Sequence, residues 1–193
     1  FEREHEGCSK AGKPVLKAAE KGQLDGILGT VSEIIKVNDD CAVAVEIALG
    51  GAMQNIVVKN EQDGKKAIGY LKSCDGGRGT FLPVSLIRGR RADDIYKKEN
   101  GYVGMACDLV EYDGRFDGIV KNLLGSTLVV QHIDAAIAIQ KKHPGRVRIV
   151  TLDGQIISTH GAMTGGSLNR SVGVFSRKNE AERLEQEQKE QSE

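Results

Sequence analysis

No run of apolar residues in this 193-residue chain approaches the roughly 20 that a membrane-spanning helix needs, so a transmembrane reading is excluded. Tryptophan is absent and aromatic residues make up only 4% of the chain, so no rings interleave with basic residues to form a stacking platform for single strands. Charge of one sign is also lacking. Lys+Arg and Asp+Glu each total 27, the formal net charge is zero, and any contact with nucleic acid has to come from a local patch. The four cysteines, Cys8, Cys41, Cys74 and Cys107, recur about every 33 residues, near the ankyrin period, but their contexts share nothing and include no CxxC pair. That argues against a zinc site or a disulfide framework and for reduced thiols in a cytoplasmic protein. The opening stretch from Phe1 to Glu6 has no starting Met, signal core or cleavage site, and reads as part of something longer.

Signatures of chemistry are missing as well. Gly7 to Pro14 approaches the phosphate-cradling pattern G-x-x-x-x-G-K-[ST], but Pro14 replaces the magnesium-holding hydroxyl and no buried strand leads into it. Neither Gly77-Arg78-Gly79 nor Gly165-Gly166 continues into a dinucleotide fingerprint. The histidines, His5, His132, His143 and His160, form no H-E-x-x-H pair, and His160 reads as a hydrogen-bonded loop residue. Asp153-Gly154 before Gln155-Ile156-Ile157 predicts a hairpin with a type I′ turn before it suggests acid catalysis. Asp113-Gly114 and Asp117-Gly118 read as turns too. No Ser/His/Asp set assembles, so the chain is expected not to be an enzyme.

What is present is a soluble, globular composition, 39% apolar and 28% charged, with alternating helical and strand-like segments. Val15 to Lys21 predicts a short helix stopped by Gly22. Gly26 to Ile35 is a strand candidate, and Asp39-Asp40 offers an N-cap for an apolar helix from Cys41 to Leu49. Asn55 to Lys59 reads as a strand, Glu61 to Lys72 as an amphipathic helix, and Thr80 to Pro83 as a strand stopped by proline. The unit then recurs with an offset of roughly 70 residues, longer than the solenoid periods of about 20 to 50. Leu49-Gly50-Gly51, Ile56-Val57-Val58, Ala67-Ile68 and Arg78 to Leu82 find counterparts in Leu124-Gly125-Ser126, Leu128-Val129-Val130, Ala138-Ile139 and Arg146 to Val150. Two related lobes follow, joined by a charged connector. From Arg177 to Glu193 the chain consists mostly of good helix formers with only Ala181 and Leu184 apolar, so such a helix needs a partner strand, and the polar stub at the other end is the candidate.

The segment from Asp153 to Ser167 is unusual in carrying Gly161, Gly165 and Gly166 beside a strand at Ile156-Ile157. Glycines weaken an interior strand, but their missing Cβ lets another backbone come close or an edge bulge. An edge strand with bare backbone groups is a pairing surface; the alternative from composition alone is a flexible glycine loop.

Asp153-Gly154 followed by Gly161-Ala162-Met163-Thr164-Gly165-Gly166 resembles the glycine signature near the end of the hinge domain of bacterial SMC (structural maintenance of chromosomes) proteins. Ala48 to Gly51 with Gln54 to Val58, and Ala67-Ile68 with Leu71-Lys72 leading to Gly79 to Pro83, resemble it too, so the likeness runs from about Val15 to Gly166. The resemblance implies an α+β fold of two pseudo-symmetric lobes, each a small sheet with packed helices, flanked by ends of an antiparallel coiled coil. The corresponding boundaries are 1–12 for the coiled-coil end, 13–87 for lobe I, 88–105 for the connector, 106–173 for lobe II and 174–193 for the coiled-coil start. It implies a homodimerisation hinge joining two arms, with Gly161, Thr164, Gly165 and Gly166 at the dimer contact. It also implies contact with double- or single-stranded DNA without sequence specificity, through Arg170, Arg177 and Lys178, joined by Lys10, Lys13 and Lys17 if the ends converge. No cofactor is expected in this chain: ATP and magnesium belong to head domains elsewhere in the parent protein, as do kleisin-type partners. The expected role is chromosome condensation and segregation in the cytoplasm, associated with the nucleoid. The alternative is a passive dimerisation or linker domain without DNA binding.

Overall fold

The computed structural model describes residues 10–168 and 173–192. The expectations placed on residues 1–9 and on Arg170 lie outside the described residues.

Helix α1 (Gly12–Glu20) buries Val15, Leu16 and Ala18 and leaves Lys13 and Lys17 exposed. It ends as expected at Gly22, whose φ of 76° allows Gly22 N–H to reach Ala19 O and Gln23 N–H to reach Ala18 O. Next come β1 (Ile27–Thr30), the one-turn α2 (Val31–Ile34) and β2 (Lys36–Val37). The long strand expected from Gly26 to Ile35 is therefore broken in the middle. Thr30 stays extended as the residue before α2, and its hydroxyl donates to Glu33 Oε1 at 3.1 Å across that single turn. Helix α3 (Asp39–Leu49) starts two residues earlier than expected, after Asn38, so Asp39 and Asp40 lie in its first turn, where their charge suits the helix dipole. The first repeat closes with β3 (Ile56–Val58), α4 (Glu61–Ser73) and β4 (Phe81–Pro83).

The second repeat mirrors it in order: β5 (Tyr102–Met105), β6 (Val110–Glu111), α5 (Asp117–Leu124), β7 (Thr127–Val130), α6 (Ile133–Lys142) and β8 (Arg148–Thr151). The correspondence extends to details. Both β3-α4-β4 and β7-α6-β8 are parallel crossovers, with Val57 opposite Leu82 and Val129 opposite Val150. Strand β1 runs antiparallel to β3 and β5 antiparallel to β7, and each pair is irregular at an equivalent glycine, Gly29 or Gly104. The crossover helices are capped alike, by Asn60 Oδ1 accepting from Asp63 N–H at 2.9 Å and by His132 Nδ1 accepting from Ala135 N–H at 3.1 Å. His132 is thus a structural cap. Beyond the repeat the chain adds β9 (Ile156–Ile157), β10 (Met163–Thr164) and α7 (Val174–Gln191).

Contacts divide the chain into two units that interleave along the sequence. The first takes the chain up to Ile35, Gly51–Gly89 and Tyr112–Leu123; the second takes Lys36–Gly50, Arg90–Glu111 and the chain from Leu124 onward. In the first unit the sheet order is β1-β3-β4, and Ala11 and Val15 of the α1 region pack with Ile56, Val58, Ala67 and Leu71. In the second unit the order is β10-β9-β8-β7-β5, with β2 and β6 forming a separate pair. All four residues of β7 are buried, which suits an interior strand with a parallel neighbour and accounts for its unbroken apolar run.

Candidate functional site

Strands β8, β9 and β10 form a meander whose two turns share one chemistry. At the first, Thr151 N–H donates to Gln155 O at 2.9 Å, Gly154 N–H donates to Thr151 O at 3.0 Å, and Gln155 N–H donates to Thr151 Oγ1 at 2.9 Å. At the second, Ser158, Gly161 and Ala162 repeat these three bonds at 2.8, 2.9 and 3.0 Å. Only the glycines are left-handed, Gly154 at φ 88° and Gly161 at φ 97°. These are three-residue loops of a type I turn plus a left-handed glycine, not the two-residue type I′ turn expected at Asp153-Gly154. The hydroxyl residue at the head of each loop makes the longer form favourable by capping the returning N–H.

Among the described residues β10 pairs only with β9, through Met163 opposite Ile157 and Thr164 opposite Ile156, and its other side is an edge of the five-stranded sheet. Every residue from Gly161 to Leu168 is exposed, with Met163 60% exposed. The edge continues past β10 because the Gln155 amide holds Gly166: Gly166 N–H donates to Gln155 Oε1 at 2.9 Å, and Gln155 Nε2 donates to Gly166 O at 3.4 Å. A Cβ on Gly165 would fall 1.8 Å from Gln155 Oε1, so glycine there is what admits this clamp. Gly166 itself has φ 127°, a backbone region that side chains disfavour. The structure thus gathers Gly161, Thr164, Gly165 and Gly166 into one exposed stretch.

The basic candidates fall in both units. Lys13 and Lys17 stand one turn apart on the exposed face of α1 in the first unit, in line with Lys10 and Lys21, while Arg177 and Lys178 lie in the second turn of α7 in the second unit. Two polar clusters of the second unit carried no signal in the sequence. Buried Glu46 of α3 receives Gly173 N–H at 2.6 Å and Phe175 N–H at 2.7 Å at the start of α7. The segment expected as connector is strapped down: Arg91 Nε meets both Asp108 oxygens at 3.0 and 2.9 Å, and Tyr102 OH donates to Asp94. Burial first, and Asp94 second, push the Tyr102 hydroxyl up to about 12. Burial and the neighbouring Asp108 likewise push the Cys107 thiol up to about 11, which keeps it a protonated, unreactive thiol. Among the described residues no group of His, Cys, Asp and Glu is arranged to hold a metal ion, and no helix is long and apolar enough to cross a membrane.

Fold and site together define a duplicated α+β domain that ends in an open sheet edge. The family model of the SMC proteins flexible hinge domain matches residues 24–140, and the chain belongs to that family. Its relatives include the chromosome partition protein Smc of Bacillus subtilis, 40% identical over 82% of this chain and 14% of the relative. The Smc protein of Methanocaldococcus jannaschii is also 40% identical, over 90% of this chain and 14% of the relative. The chain therefore spans about one-seventh of the length of these relatives. Among solved structures, the Geobacillus stearothermophilus SMC hinge domain, crystallised as an asymmetric dimer, is 39% identical with a TM-score of 0.87, over 96% of this chain and 76% of that one. The Pyrococcus furiosus SMC hinge domain is 32% identical with a TM-score of 0.67, over 83% of this chain and 91% of that one.

Proposed function

We propose that this chain is the homodimerisation hinge of a chromosome-organising SMC protein, pairing with a second copy through the edge of β10 and joining two coiled-coil arms. The observation that carries the reading is the open edge itself. Residues 161–168 are exposed, the backbone is shaped by glycine, and the two large apolar side chains of the stretch, Met163 and Leu168, are both exposed. The repeat supplies a receiving surface. Strand β8 is covered by β9, but its counterpart β4 is an edge of its sheet, so a second copy finds there the position that β9 occupies in the other unit. Helix α7 is the start of one arm; its last nine residues, from Arg183 to Gln191, are all exposed and await a partner helix. The chain contributes no catalysis. ATP binding, hydrolysis and kleisin-type partners belong to head domains outside it, and the whole serves chromosome condensation and segregation in the cytoplasm, at the nucleoid.

The same hinge contacts DNA without sequence specificity through Lys13, Lys17, Arg177 and Lys178, with Arg170 as a further candidate outside the described residues. The reading without DNA contact differs in one measurable respect, the salt-dependent binding taken up in the Discussion. For pairing, the test is Met163→Glu. Its side chain is mostly exposed, so the variant is expected to fold normally and to sediment as a monomer where the wild type is a dimer. A variant that stays dimeric would remove β10 from the interface.

A further inference from the structure

We infer that Glu46 is the positioning residue that fixes the direction in which α7 leaves the second unit. The inference rests on the reading of α7 as the beginning of an arm. A helix that continues into a long lever needs a defined exit angle, and the residue before this helix is the worst one for holding it: Gly173 has φ 115° and no side chain, so it is a natural swivel. Glu46 closes that swivel. Its carboxylate is 3% exposed and receives both Gly173 N–H and Phe175 N–H, at 2.6 and 2.7 Å, taking the part of an N-cap side chain from 127 and 129 positions away in sequence. A carboxylate suits the place because these N–H groups form the positive end of the helix dipole, and the short bonds are charge-assisted.

The rest of the attachment lies on one stripe of α7. Phe175 is buried, Asn179 Nδ2 donates to Val37 O at 2.7 Å and to Asp39 Oδ1 at 3.0 Å, and Glu182 meets Lys36 at 3.6 Å. Positions 175, 179 and 182 follow the i, i+4, i+7 spacing of one helix face. Beyond Glu182 the helix runs on exposed. Helix α3 is itself tied to the sheet, since Arg148 of β8 donates to Ala48 O at its C-terminal end at 2.7 Å. Helix α3 also meets the β8–β9 turn, where a Cβ on Gly154 would come 3.1 Å from Ile47 Cγ1 and 3.3 Å from Val43 Cγ1. Helix α3 thus stands between the meander that carries the open edge and the helix that carries the arm. Glu46 is the polar contact that ties α3 to the first turn of α7.

The test compares amide hydrogen exchange in the wild-type chain, Glu46→Ala and Glu46→Gln by nuclear magnetic resonance, with the mass of each measured in parallel. Glu46→Ala is expected to speed exchange at Gly173 and Phe175 by about tenfold or more, as expected for loss of a buried charged acceptor. Val129 and Val150 in the sheet should keep their protection, and the mass should be unchanged. Glu46→Gln retains one oxygen acceptor and is expected to fall between. Unchanged exchange at Gly173 and Phe175 would overturn the inference, and so would an equal loss at Val129 and Val150, which would make Glu46 a general stability residue. A monomeric wild-type chain would sink the dimer reading while leaving this result to be judged separately.

Discussion

Gly161, Gly165 and Gly166 lie within six residues, yet the missing Cβ does something different at each. At Gly161 and Gly166 the demand is on φ, with nothing within 4 Å of the place a Cβ would take, whereas at Gly165 the demand is on space, because Gln155 stands in the way. The sequence reveals that glycine matters here but not which reason applies, since both look the same in one dimension. The different reasons lead to different outcomes. Gly165→Ala is expected to lower stability by about 1 kcal/mol through loss of the Gln155 clamp, and Gln155→Ala by a similar amount. Because both remove one interaction, the double variant should lose little more than either alone in chemical denaturation. Strict additivity would show that the clamp contributes nothing. The Thr151 and Ser158 loops were also written in the sequence, as Thr-x-x-Gly-Gln and Ser-x-x-Gly-Ala, but the Asp-Gly pair pointed more loudly to a shorter turn. Glu46 was hidden: an acid inside the apolar helix Cys41 to Leu49 has no local signal for a partner more than 120 residues away.

Among the elements, those set by local pattern were legible and those set by pairing were not. Ile56-Val57-Val58 and Leu128-Val129-Val130 read as strands from their unbroken apolar runs, α4 reads as a helix from its apolar spacing, and α6 follows from its place in the repeat. Strands β2 and β6 have two residues each and exist only because they pair with each other, so no periodicity could disclose them. The segment that looked like a charged connector is ordered by its charges: Arg91 grips Asp108, Asp94 takes the Tyr102 hydroxyl, and Lys142 reaches Glu99 at 2.7 Å. It then ends in β5, where Tyr102 begins a strand. This strap has a pH signature. The Tyr102 hydroxyl is raised in the fold from its usual 10 to about 12, so its contribution is complete below about pH 10 and is lost as pH rises through 12. Tyr102→Phe lacks that contribution at every pH. The stability gap between wild type and variant is therefore expected to narrow from pH 9 to pH 12, taken as approximate bounds, and a constant gap in thermal melts would contradict the strap.

At the scale of the molecule, the duplication was readable, whereas nothing in the sequence marks which elements share a compact unit. The repeats follow each other in sequence, but the compact units do not: α3 of the first repeat belongs to the second unit, and most of α5 of the second repeat belongs to the first. Contiguous lobe boundaries are the simplest guess from a sequence, and exchange of a helix between repeats leaves no mark in composition. Zero net charge has a counterpart at this scale too, since DNA contact has to rely on a few local bases. If Lys13, Lys17, Arg177 and Lys178 each neutralise one phosphate, the logarithm of the binding constant for duplex DNA should fall with the logarithm of salt with a slope of about −4, and Lys13→Glu with Lys17→Glu should reduce that slope by about 2. Binding with no salt dependence, or none at all at low salt, would favour the passive hinge. The central claim is that one open edge closes onto another copy, and sedimentation equilibrium of the wild-type chain over a dilution series measures this most directly. The expected mass is twice the 20.8 kDa of the single chain at high concentration; 20.8 kDa at every concentration would contradict the pairing of two copies.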